Sequence, residues 1–320
     1  MSGGGSPLVS VIVPTRNRPA ELGEALASIG EQRGIAAELV QVVVVNDGGS
    51  DVTDSVTSAR RDGMRVTAVT HPHRRGLSSA RNTGLDLAQG RYVALLDDDD
   101  VFLPDHLATA MAHLDQPDLC DATVATCLVS DRRTTGHQPP AEAERWDLVF
   151  DPDLLTVSNL LPVHAAVLRR PPRAARFDAA LSALEDWDFW LRLTHEHGYR
   201  FTRIPQATAV YHRVTDASTM LNTMVDGARP AAEFSVLVRR IWRRWPAADP
   251  RAARFRAYIA TMYWQLLSAL ATGTAPNPHY YLHSVRAITE AWTNPPSEAA
   301  LMERLAHTVT GDPHDVAHAA

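Results

Sequence analysis

Short apolar runs alternate with helix-spaced segments through the first third of this chain, and that alternation constrains its fold more than any other feature. Residues 8–13 form a mostly apolar run ended by Pro14, and residues 39–45 are apolar except at Gln41, as in a strand covered on both faces. Residues 65–69 and 92–96 read as two further strands. Between the strands, residues 18–29 carry helical spacing through Leu22, Leu26 and Ile29. Asp51 and Thr53 favour a helix start over 51–61, and a third helix over 77–88 is stopped by Gly90. This order predicts an α/β fold with a doubly wound, mostly parallel sheet. Ligands in such sheets sit beyond the carboxyl ends of the strands, where residues 14–17, 46–51 and 97–100 all fall. Three polar clusters at three strand ends predict one pocket.

The rest of the chain is less regular. A helix is expected over 104–114, a strand carrying Cys127 over 122–129, a loop over 132–146, an amphipathic helix over 181–195 and a short strand over 208–212. From about Pro230 the composition turns to Ala, Arg and aromatics, with breaks at Pro246, Pro250, Pro276 and Pro295. This predicts an α/β domain over 1–229 and a C-terminal helical region of three or four helices over 230–320. With 45% hydrophobic and 21% charged residues, the 320-residue chain is globular rather than disordered, and two cysteines exclude a disulfide scaffold. No apolar run reaches the roughly 18–20 residues of a transmembrane helix. The first residues lack a secretory pattern, so a cytoplasmic location is expected, with peripheral membrane attachment as the alternative. A net charge of -6 argues against a general nucleic-acid binder.

The strongest local signal is Asp97, Asp98, Asp99 and Asp100. Adjacent carboxylates repel one another unless a cation or solvent relieves them. On an extended strand end Asp97 and Asp99 share one side, which suits a hard divalent ion such as Mg²⁺ or Mn²⁺ that keeps phosphate oxygens and water as its other ligands. A solvated acidic loop is the alternative.

The segments VSVIVPTRN over 9–17, VVVNDGGSD over 43–51, GLSSARNTGL over 76–85, GRYVALLDDDD over 90–100 and EDWDFWLRL over 185–193 occur in this order. Together they resemble the family-2 glycosyltransferases of the GT-A fold, over about the first two-thirds of the chain. The resemblance implies that Pro14, Thr15, Arg16 and Asn17 line a nucleotide site and that Asp47 contacts the base. Asn46 stands where the family usually has a second acid. It further implies that Gly76, Arg81 and Asn82 lie along the nucleotide and its diphosphate, with Asp98 alongside. Asp97 and Asp99 match the family's Asp-X-Asp metal motif, and His212 sits where a late metal- or diphosphate-directed residue often falls. Asp186, with Glu185, matches the catalytic base, and Trp187 and His164 are the candidate acceptor contacts.

By the same resemblance, the expected reaction is an inverting, divalent-metal-dependent transfer from a nucleotide-diphosphate sugar, with a UDP-sugar favoured and dTDP or GDP open. The acceptor is a small molecule, a lipid-linked compound or a glycan. Each residue also has a plainer reading. Glu185 and Asp186 suit a helix start through the dipole; Trp187 and Trp190 suit core packing; His164 suits a hydrogen-bonded structural role. His71 and His73 lack the third ligand of a metal site, and Cys120 and Cys127 read as buried thiols. The run from Arg239 to Trp245 suits an anionic membrane, a lipid-linked acceptor, a helix with a buried aromatic face, or a homodimer contact. A nucleotidyltransferase would need a Gly-rich basic loop after the first strand. A catalytically silent binding scaffold is the remaining alternative.

Overall fold

The structure, a computed structural model, describes residues 6–61, 64–116, 118–135, 138–147, 149–214, 228–274, 276–277 and 279–310. The chain divides into two compact units, Met1–Asp147 with Leu161–Val214, and Leu148–Leu160 with Thr215–Ala320.

The first unit is built on one sheet. Its strands are β1 (Val9–Thr15), β2 (Val40–Asn46), β3 (Arg65–Thr70), β4 (Tyr92–Leu95), β5 (Val101–Phe102), β6 (Ala122–Ser130), β7 (Glu144–Trp146), β8 (Ala166–Arg169) and β9 (Phe201–His212). The order across the sheet is β3-β2-β1-β4-β8-β6-β9-β5, with β7 paired to β6. The pairs among β3, β2, β1 and β4 are parallel, as is β6 with β9, whereas β8 runs antiparallel to both β4 and β6. β2 and β3 extend to one side of β1 and β4 lies on the other, so the winding reverses between β1 and β4 and leaves a crevice at their carboxyl ends.

Helices α1 (Pro19–Gly30), α2 (Thr53–Arg61), α3 (Leu77–Leu87), α4 (His106–Leu114) and α6 (Glu185–His197) join these strands, after the single turn α5 (Pro152–Leu155) of the second unit. Every residue of β1 and β2 is buried, as two-sided cover requires. Alternation then divides the strand: Val9, Val11 and Val13 join a core cluster with Leu22, Leu26 and Ile29 of α1, while Ile12 meets α3 at Gly84.

The expected strands and helices of the first half are all present within a few residues. Three short strands were not anticipated: β5, β8 and β7, the last inside the expected loop. The strand expected over 208–212 begins at Phe201; Pro205 lies in an irregularity of its pairing with β6, where a missing N–H is tolerated. The helix expected from residue 181 begins at Glu185.

The second unit holds α5, α7 (Ala228–Arg244), α8 (Pro250–Ala271), α9 (Tyr280–Thr293) and α10 (Glu298–Thr310). Segment 148–160 belongs with these helices, which the division at residue 229 did not anticipate. Leu154, Leu155 and Val157 are fully buried. The Trp242 indole donates to the Val157 carbonyl at 3.0 Å, and the Arg256 guanidinium donates to the carbonyls of Thr156, Trp242 and Trp245. Burial pulls the Arg256 pKa down to about 10. Along α7, Val238 and Ile241 are buried while Arg239, Arg240, Arg243 and Arg244 are exposed, and Trp245 is buried just beyond its end, so the basic run is the polar face of an amphipathic helix. Among the described residues no helix is long and apolar enough to cross a membrane.

Candidate active site

The crevice between β1 and β4 is walled by loops with left-handed backbone. Asn17 has φ 60° and Gly48 φ 65°. A Cβ on Gly48 would lie 2.5 Å from the His73 carbonyl carbon, so only glycine admits the neighbouring loop. Asn17 Oδ1 accepts the Ser50 N–H at 2.8 Å, and Asn46 bridges its own loop by accepting from the Gly49 N–H and donating to the Ser50 carbonyl. Pro14 and Thr15 are buried, whereas Arg16 and Asn17 are exposed at the rim.

Asp47 is 5% exposed, and its carboxylate is committed to protein donors. It accepts the Arg75 and Gly76 N–H groups and His71 Nδ1, all at 2.8 Å. Burial raises its pKa, but His71 and the two backbone donors outweigh burial and hold it below the usual carboxylate range. His71 Nε2 meets the Thr83 hydroxyl at 3.0 Å, so His71 orients Asp47 rather than binding metal. Gly76, at φ 92°, turns the loop into α3, with open space where a Cβ would sit.

The four aspartates diverge after β4. Asp98 accepts from the Thr15 hydroxyl at 2.7 Å and from Arg18 Nη1 at 3.1 Å; the same Nη1 lies 2.6 Å from Asp99. Burial is the largest cause raising Asp98 to about 6, with Asp97 adding and Thr15 and Arg18 opposing. Burial, then repulsion from Asp100, Asp97 and Asp98, raises Asp99 to about 7 against Arg18. Even with Arg18 between them, these carboxylates are short of positive charge. Crowded carboxylates of this kind are compatible with a hard cation, to which Asp97 and Asp99 could supply oxygens. Among the described residues no group of three or more His, Cys, Asp or Glu side chains is placed to hold a metal ion. Arg18 was missed because the recognised motif ends at Asn17.

Arg81 is 2% exposed and joins two parts of the site. Its Nη1 donates to Glu185 and its Nη2 to Asp97, each at 2.7 Å, while its Cζ lies 5.4 Å from the Phe177 ring centre. Burial opposes its charge, but Asp97 and Glu185 more than compensate and hold it protonated. Burial pushes Glu185 up to about 7, Arg81 opposing and Asp186 adding. Glu185 therefore supports Arg81 from within the fold, at 3% exposure. Asp186 beside it is half-buried and accepts the Trp187 N–H at 2.8 Å at the start of α6. Leu184, just before this pair, sits at φ 59°, a strained conformation for a branched residue.

Other expected site residues serve the fold. Asn82 makes a reciprocal pair with the Phe177 backbone at 2.9 Å, so its amide is already matched. His212 Nδ1 lies 2.7 Å from the Asp99 carbonyl, and Nε2 accepts the Thr134 N–H at 3.1 Å; with both nitrogens engaged, it offers no lone pair to a metal. Trp187 is 1% exposed and packs inside the unit instead of facing an acceptor. His164, 3% exposed, is enclosed between Asp100 and Cys127.

A model of the family described as glycosyl transferase family 2 matches residues 10–177. The uncharacterized glycosyltransferase YwdF of Bacillus subtilis (strain 168) is 27% identical over 205 residues, 63% of this chain and 73% of its own. The succinoglycan biosynthesis protein ExoO of Rhizobium meliloti (strain 1021) is 35% identical over 217 residues, 64% of this chain and 61% of its own. The structure of S. aureus TarS 1-349 in complex with UDP-GlcNAc has a TM-score of 0.56 at 17% identity, covering 94% of this chain and 90% of TarS 1-349. The mannosyltransferase PcManGT from Pyrobaculum calidifontis, in complex with GDP-Man and Mn²⁺, has a TM-score of 0.53 at 21% identity, covering 95% of this chain and 86% of its own. At these identities the two structures show the fold, which is GT-A. The family match sets aside the nucleotidyltransferase and silent-scaffold alternatives. A matched model over more than half the chain, on a GT-A sheet with an acidic cluster at its switch point, makes this protein a glycosyltransferase of family 2.

Proposed function

We propose that the protein is an inverting, divalent-metal-dependent glycosyltransferase that moves one sugar from a nucleotide-diphosphate donor to a small-molecule, lipid-linked or glycan acceptor. The carrying observation is the crowded carboxylate set at the β1/β4 crevice, where Asp97, Asp98 and Asp99 share Arg18 and Arg81. A UDP-sugar is the favoured donor, with dTDP and GDP as the other carriers to test. The nucleotide lies against Pro14, Thr15, Arg16, Asn17, Asp47 and Gly76, with Asp47 acting through the 75–76 loop that it holds.

Asp97 and Asp99 would hold Mn²⁺ or Mg²⁺, which when bound offsets charge on the departing diphosphate. Arg81 fixes Asp97, and through Glu185 it fixes the start of α6. Asp186 takes the proton from the acceptor nucleophile as that atom bonds to the anomeric carbon, and the nucleoside diphosphate leaves with the electron pair of the broken bond. One base and one direct displacement invert the anomeric centre.

The test is Asp186→Asn. Donor affinity should stay within a few-fold of wild type while kcat falls by about 10²–10⁴, the range for removing a general base. Normal donor binding with undiminished turnover would remove Asp186 from the role.

A further inference from the structure

A line of polar contacts runs through the interior of the first unit, and the proposed reaction does not use it. Cys127 Sγ lies 3.0 Å from His164 Nε2, and His164 Nδ1 lies 2.9 Å from Asp100 Oδ2. These residues are 0%, 3% and 2% exposed. The Tyr211 ring stacks on His164 at 5.7 Å. The other oxygen of Asp100 accepts the His212 N–H at 2.9 Å, and the Asp100 N–H donates to the Asp97 carbonyl at 3.2 Å. His212 then returns to the loop through Nδ1 to the Asp99 carbonyl.

The turn that presents Asp97 and Asp99 is thus tied to β6 and β9 through one buried carboxylate. A carboxylate in such a place is costly without a hydrogen-bond donor, and His164 Nδ1, 2.9 Å away, supplies one, with Cys127 fixing its ring from the far side. Because Cys127 is fully enclosed, its sulfur meets no substrate atom, and the line serves as support rather than as a nucleophile.

We infer that His164, held between Cys127 and Asp100, is a positioning residue that fixes the Asp97 and Asp99 carboxylates for the donor. Service to the donor rests on the function proposed above; the anchoring of the loop does not.

Hydrogen–deuterium exchange of the full chain tests the anchoring, comparing wild type with His164→Leu and His164→Asn. Asparagine restores an N–H near the position of Nδ1; leucine does not. Exchange over residues 97–103 and 208–214 should quicken by about tenfold in His164→Leu, as loss of a charge-assisted hydrogen bond implies. Residues 40–46 should be unchanged, and His164→Asn should regain most of the protection. Titration of UDP with Mn²⁺ should show about 10–100-fold weaker binding in His164→Leu, the usual cost of losing an outer support of a metal site, and near-normal binding in His164→Asn.

Wild-type protection at 97–103 and 208–214 in a folded His164→Leu overturns the inference. So does acceleration spread equally over 40–46, which marks a general structural role. If His164→Leu does not fold, Cys127→Ala serves: quicker exchange confined to the same two segments supports the inference, and unchanged exchange overturns it. A wild type that binds no UDP with Mn²⁺ defeats the donor reading alone, because the exchange result still decides whether His164 anchors the loop.

Discussion

At the scale of single residues, the site is organised by side chains that each serve two neighbours. Arg81 holds both Asp97 and Glu185 from a buried position. A lysine cannot reproduce the planar fork, so Arg81→Lys leaves one buried carboxylate uncompensated. It should cost about 3 kcal/mol, the lower end for breaking a buried pair, read as a lower urea midpoint; an unchanged midpoint would contradict the two-partner role. His106 carries a pH dependence. It is buried against Phe102, with Nδ1 2.9 Å from the Thr208 hydroxyl, and burial, with His164 adding, lowers its pKa to about 3. An unfolded histidine titrates near 6.5. Between about pH 6.5 and 3 the folded state therefore binds fewer protons, so stability present above 6.5 is lost as pH falls through that window. The melting temperature of His106→Asn should fall less steeply than that of wild type between pH 7 and 4.5, and parallel curves would exclude His106 as a source. At this scale the acidic run after β4 was legible because its neighbours in sequence form a motif, and the motif around Asp186 is the ground for the role proposed for it. Arg18, His71 and the Cys127–His164 contact were not legible: their partners lie 80, 24 and 37 positions away.

At the scale of elements, the sheet's first half was readable because β1 and β2 are buried on both faces and therefore nearly uniformly apolar. β5, β7 and β8 are two to four residues long and paired at a distance, so no periodicity marks them. The close approach of α3 to β1 was equally hidden. A Cβ on Gly84 would fall 2.2 Å from Ile12 Cγ2. Gly84→Ala should thus destabilise by about 1–3 kcal/mol through overpacking, although alanine is the better helix former by about 1 kcal/mol. A melting temperature at or above wild type would show that α3 lifts away freely.

At the scale of the whole molecule, the division into two units does not follow the chain. Residues 148–160 interrupt the first unit and pack with the C-terminal helices, because Leu154, Leu155 and Val157 need apolar cover and Arg256 donates to the Thr156 carbonyl. A chain ending at residue 214 should expose these side chains, each worth about 1.5–3 kcal/mol of burial, and self-associate. Replacing 148–160 by a Gly/Ser linker in that shortened chain should restore a monodisperse species by light scattering. Self-association that persists with the linker would place the exposed surface elsewhere.

On the proposed function, the β1/β4 crevice binds a nucleotide-diphosphate donor together with a divalent ion. Calorimetric titration of UDP, dTDP and GDP into the full chain, each with Mn²⁺ and again with chelator, addresses it most directly. One nucleotide, UDP first among them, should bind saturably, and chelator should abolish that binding and Asp99→Ala weaken it by at least about tenfold, or roughly 1.4 kcal/mol. Binding of none of the three, or equal binding with metal and with chelator, would contradict it.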